Sequence, residues 1–237
     1  MREDRRLVTA MFVDLRGSTT LAERVDVEDM RELLSWFTTA VIDVAEGLGG
    51  SINDLAGDGV LALFGAPMAR EDDPARAVRA GLGVQQAMVE VGRNAFERFG
   101  FRDIAARVGI ETGHVAAGAV GGGSRVEYGV TGDAVNVAAR LQSLCEVGGV
   151  LVGPETVHQV RAQFRWGAPA VLQLKGRSAP VQARQALAFI GLRDGGGGRH
   201  RRPGLAKDES VGRSSERATV EEMVRTLDHG AGRVVVV

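Results

Sequence analysis

Residues 7–15, LVTAMFVDL, are almost continuously apolar and carry one carboxylate, Asp14, near the end. That is the pattern of a buried strand delivering a polar group to a sheet edge. Apolar residues then return at helical spacing over 19–26 and 28–47 (Met30, Leu33, Leu34, Phe37, Val41, Val44), and Gly49 and Gly50 stop the second helix. SINDLAGDGVLALFGAP, residues 51–67, reads as two short strands joined by a Gly-Asp-Gly turn with Asp58 at its tip. A long amphipathic helix is predicted over 72–99, and RDIAARVGIETG with HVAAGAVG reads as a strand pair. GDAVNVAARLQSLC gives a further strong helix pattern. A strand near 149–153, a short helix from Pro154 and strands near 171–175 and 181–190 complete an α/β arrangement of mixed sheet and covering helices ending near residue 192.

The pattern then changes. RDGGGGRHRRPG offers four consecutive glycines and flanking arginines with no apolar face, so residues 193–208 read as a linker. Residues 209–237 give an amphipathic helix and a Val-rich strand with no sheet to join. This segment resembles the start of an ATPase module, with a Val-Gly-Arg segment, a helix and a hydrophobic strand, but it lacks the phosphate-binding glycine loop. It is expected to pack poorly and bind no nucleotide.

Composition narrows the function classes. Apolar residues make up 44% of the 237, ample for a core, and 29 basic against 30 acidic side chains leave a formal charge of -1. Bulk electrostatics therefore calls for neither nucleic acid nor a membrane surface. The opening MREDRRLVTAMFVDL lacks the apolar run of a signal peptide, and no segment reaches the roughly 18 apolar residues of a membrane span, so a cytoplasmic location is expected. Cys145 stands alone and reads as a small buried apolar residue, and His114, His158, His200 and His229 form no zinc-ligand cluster.

Asp14 at a strand end and Asp58 at a hairpin tip fall side by side in the expected topology, which is how hard oxygen ligands for magnesium or manganese are collected. An isolated Gly-Asp-Gly is by itself better read as an ordinary turn; two such sites in this order change the odds. FVDLRGST and GDGVLALFG resemble the two metal-binding motifs of class III adenylate and guanylate cyclases, with the customary helical hairpin between them. The resemblance spans about residues 6 to 190 and implies a ferredoxin-like βααββαβ cyclase fold. It also implies that Asp14, Asp58 and the carbonyl of Leu15 hold two Mg2+ or Mn2+ ions per site. Arg16, Gly17, Ser18 and Thr19 open a helix whose N–H groups could cradle β and γ phosphates, although an ordinary serine cap fits the same residues.

Asn136 and Arg140 lie four apart in GDAVNVAARL, so a helix puts them on one face. By spacing alone they read as a solvated pair. YGVTGDAVNVAARL resembles the cyclase segment in which the asparagine orients the ribose and the arginine supports charge on the α-phosphate. In that family this helix faces the metal site of the other subunit, which implies a homodimer with shared sites. Arg107, before VGI, and Lys175, in LKGRSAPV, fall where the family places cations on the triphosphate, with Lys175 at the γ end.

The chain departs from the family where adenylate cyclases read their base. Asp54 stands in place of a lysine and Gly129 in place of an aspartate or threonine. A carboxylate cannot donate to the adenine N1 acceptor, but it could accept from the guanine N1 and N2 donors. A solvated hairpin position explains Asp54 equally well. The expectation is therefore an enzyme acting on ATP or GTP, set against a weak or inactive cyclase-like domain that serves as a nucleotide-binding or dimerisation module.

Overall fold

A computed structural model of the chain describes residues 4–23, 25–120, 127–175 and 179–191. The expected linker at 193–208 and the ATPase-like segment at 209–237 lie outside the described residues. One sheet carries the fold, with strand order β2-β3-β1-β4-β6-β8-β7 and β5 pairing β4.

The apolar run becomes β1 (Asp4–Leu15), flanked by β3 (Gly59–Phe64) and β4 (Ala106–Val120), both antiparallel to it. Its alternate residues serve two layers. Met11, Val13 and Leu15 face a core shared with helices α2 (Val27–Gly47) and α3 (Asp73–Phe99), while Val8 and Ala10 belong to the layer beneath Ala138 of α4 (Asp133–Leu144). The predicted helical hairpin is present as the short α1 (Ser18–Ala22) and the long α2, which Asp26 caps by accepting from the Glu28 N–H at 2.9 Å. α3 buries its small and apolar stripe, Ala77, Val78, Ala80, Val84, Met88, Val91 and Ala95. No described helix is long and apolar enough to cross a membrane. Cys145 is buried, and desolvation raises its thiol pKa above the ordinary value.

Two elements differ from the sequence pattern. The expected hairpin within 102–121 is one continuous strand, β4, because all of Asp4–Leu15 pairs with Ala106–Ala117 and holds it extended. Gly113 marks no turn there; a Cβ on it would lie 3.0 Å from Ala134 of α4, so the glycine permits helix approach. The hairpin partner of β4 is β5 (Glu127–Thr131). The strand expected at 171–175 instead runs as β7 (Phe164–Leu172). It holds Pro169 because β7 is an edge strand whose register shifts between Trp166 and Pro169, which is where a proline is tolerated. β2 (Ser51–Ala56), β6 (Val150–Val152), α5 (Pro154–Val160) and β8 (Val181–Phe189) complete the domain.

Candidate active site

Sheet register sets the two candidate metal-binding residues side by side. Asp14 pairs with Gly59 on one side and Arg107 on the other, and the Leu15 N–H donates to the Asp58 carbonyl at 3.1 Å. Asp58 sits in the turn between β2 and β3, where its carboxylate accepts a short hydrogen bond from the buried Ser18 hydroxyl at the start of α1. Asp14 Oδ2 accepts from Arg107 Nη2 at 2.8 Å and from Gln142 Nε2 at 3.0 Å. Arg107 is thus bound to the carboxylate, with its other arm, Nη1, on the Ser143 carbonyl at 3.3 Å.

The anion cradle expected at Arg16–Thr19 needs one correction. The Arg16 N–H donates to the Ala105 carbonyl at 2.8 Å, so that amide is not open to a phosphate. The helix begins at Ser18, and the Gly17 carbonyl already accepts from the Leu21 N–H at 2.8 Å. The backbone of Gly17, Ser18 and Thr19 remains at this end of the sheet beside Asp58.

Asn136, Arg140 and Lys175 lie away from the carboxylates. α4 turns Ala134, Val137, Ala138, Leu141 and Gln142 inward, and Gln142 is the residue that reaches Asp14. At 100° per residue, Arg140 points about 160° away from Gln142, and Asn136 lies on the Arg140 side. Asn136 is exposed and Arg140 partly so. Lys175 is exposed just beyond β7, and its neighbour Leu174 is buried in a cluster with Val137 and Leu141 of α4. Strand directions put it far from Asp14. β4 starts beside Asp14 and runs away, β6 follows it in parallel, and β8 returns antiparallel, so the Leu172–Val181 end of the last hairpin is remote from the carboxylates. Hydrogen bonds and register thus bring Asp14, Asp58, Ser18 and Arg107 to one end of the sheet, and helix rotation and strand direction keep Asn136, Arg140 and Lys175 away from it.

Asp54 is exposed on β2 opposite Leu61, after a register shift, and Gly129 lies on β5 opposite Gly118; β2 and β5 touch in the fold. Gln142 escaped the sequence reading. Its signal was a polar residue four positions after Ala138 on the buried stripe of a helix, where an amide needs a partner. A second buried polar group, Glu111 on β4, accepts from Thr156 Oγ1 at 3.4 Å, and burial pushes its pKa up to about 7.

The donor set fits a hard divalent cation. Two carboxylates and a backbone carbonyl offer only oxygens, and among the described residues no group of three His, Cys, Asp or Glu forms a closed cage. Sites of this kind leave coordination positions for water and phosphate oxygens.

Comparison with known proteins finds relatives over most of the chain. The family model of the adenylate and guanylate cyclase catalytic domain matches residues 2–187. An uncharacterised protein of Rhizobium meliloti is 39% identical over 186 residues, covering 78% of this chain and 18% of that protein. Adenylate cyclase 1 of the same organism is 30% identical over 188 residues, again covering 78% of this chain but 28% of the relative. The chain thus spans less than a third of these relatives. Among solved structures, the guanylyl cyclase Cya2 superposes with a TM-score of 0.77 at 32% identity, covering 80% of this chain and 95% of that one. The adenylyl cyclase CyaB from P. aeruginosa gives 0.77 at 29%, covering 79% and 97%. The chain belongs to the adenylate and guanylate cyclase catalytic domain family.

Proposed function

We propose that this domain converts ATP or GTP to its 3′,5′-cyclic monophosphate and pyrophosphate, with two Mg2+ or Mn2+ ions, in sites shared between the protomers of a homodimer in the cytoplasm. The observation that supports it is that the candidate carboxylates and the candidate amide and cations lie apart on one chain. The acids sit at one end of the sheet, while the amide, guanidinium and ammonium groups face outward on α4 and beyond β7. A two-fold dimer that sets the acidic half of one protomer against the cationic half of the other completes both sites at once.

Asp14, Asp58 and the Leu15 carbonyl would hold the cations, which when bound neutralise phosphate charge and acidify the 3′-hydroxyl. Backbone amides of Gly17, Ser18 and Thr19 would receive the β and γ phosphates, with Arg107 and Lys175 as further cations along the chain of phosphates. Asn136 of the facing protomer would orient the ribose so that the 3′-oxygen lies in line with the α-phosphorus. Arg140 would support the charge that grows there as the new P–O bond forms and pyrophosphate departs.

A second reading has its own support. Asp54 is exposed and Gly129 carries no side chain, so neither position offers a donor to the adenine N1 acceptor. A domain of this kind could bind nucleotide and dimerise with little turnover. The two separate when the purified chain is incubated with Mn2+ and either ATP or GTP, cyclic product is measured by chromatography, and the assay is repeated with Asp14→Ala. Product abolished by the substitution supports the enzyme; tight nucleotide binding without product supports the binding module.

A further inference from the structure

Arg107 is engaged in a way that a cation merely awaiting phosphate would not be. Nη2 donates to Asp14 Oδ2 at 2.8 Å and Nη1 reaches the Ser143 carbonyl at 3.3 Å. Its buried Nε has no hydrogen-bond partner among the described residues. Gln142 Nε2 donates to the same Oδ2 at 3.0 Å. Of the two donors on that oxygen, one is cationic and the other neutral.

That difference in charge decides what each can do when a cation arrives. Asp14 is only 21% exposed and lies beside Asp58, so without metal the two carboxylates need a positive neighbour, which Arg107 supplies. A divalent ion on Asp14 would bring two like charges within a few ångströms of each other in a partly desolvated site, and the guanidinium gives way. An amide donor carries no net charge and can stay on the carboxylate in both states.

We propose that Arg107 is the resident counter-ion of Asp14 in the metal-free chain, competing with the divalent cation for that carboxylate, and that Gln142 is a positioning residue that orients it throughout. This rests on Asp14 being a metal ligand, as proposed above. Arg107 then has two stations. It neutralises Asp14 until the cation binds, and it is released beside the metal with an unfilled Nε donor where a phosphate oxygen arrives. Metal and nucleotide binding become mutually reinforcing, because each removes the reason for Arg107 to remain on Asp14.

The test is a Mn2+ titration of the full chain without nucleotide, followed by electron paramagnetic resonance, with thermal unfolding recorded on every variant. Arg107→Met is expected to bind Mn2+ roughly three- to tenfold tighter than wild type, the opposite of what loss of a supporting residue would do. Gln142→Leu is expected to bind it severalfold more weakly. Equal or weaker binding by Arg107→Met, with binding lost in Asp14→Asn, overturns the proposal and leaves the metal site standing. Unchanged binding in Asp14→Asn overturns both. A measurement without substitution guards against misfolding: the Arg107 Nε–H resonance of the wild type should shift during a Mg2+ titration, and a resonance that does not move overturns the competition.

Discussion

Gly109 on β4 faces the backbone nitrogen of Gln142 on α4 so closely that a Cβ added to the glycine would overlap it, together with the carbonyl of Ala138. This contact between strand and helix backbone sets the depth at which α4 lies on the sheet. It thereby sets both the Gln142–Asp14 bond and the outward presentation of Asn136 and Arg140.

Gly109→Ala should therefore act at a distance. Backbone cannot yield as a flexible side chain can, so α4 must lift away. We expect a loss of about 2–4 kcal/mol in urea unfolding, together with cyclic product falling well below wild type. A variant of unchanged stability would mean the helix has more freedom than the packing allows.

The proposed sharing of sites between protomers predicts complementation. Asp14→Ala and Arg140→Ala chains, each inactive alone, should recover about a quarter of wild-type activity when mixed, since half the dimers are mixed and each of those has one intact site. No recovery, with dimers verified by sedimentation, would place all four groups in one protomer.

Ser18 holds the Asp58 carboxylate by its hydroxyl while itself buried. Ser18→Ala should cost about 1 kcal/mol of stability and a larger share of metal-dependent turnover, on the order of tenfold. The comparison of unfolding midpoint with turnover at saturating Mn2+ separates the two effects.

Glu111 gives the domain a pH signature. Its folded pKa, about 7, lies above the ordinary 4.5 because burial disfavours the charged form. Below the ordinary value the group is protonated in both states and its contribution is complete. Between the two values the unfolded chain ionises first, so stability drains as pH rises and this contribution is lost above the folded pKa, by on the order of 3 kcal/mol at most. Glu111→Gln should flatten the dependence of melting temperature on pH between about 5 and 8. An equally steep profile in the variant would assign the slope to other groups.

The sequence by itself determined the elements with strong periodicity and the residues whose chemistry is local. β1, α2, α3 and α4 follow from runs and stripes that need no partner to be recognised, and the hairpin that carries Asp58 follows from its turn residues. Asp14 and Asp58, Asn136 and Arg140 stood out as candidates through the motifs that resemble the cyclase family, since spacing alone left each an ordinary turn or surface residue. What only the tertiary structure decided concerns partners distant along the chain. The Arg107–Asp14 bond joins residues 93 positions apart and the Gln142–Asp14 bond 128, so no local pattern encodes either. The continuity of β4 depended on pairing with all of β1, and the proline-bearing β7 on lying at the sheet edge. The separation of Asn136, Arg140 and Lys175 from the carboxylates, too, depended on strand direction and helix rotation, which are settled when the sheet and its helices pack and long-range burial outweighs local preference.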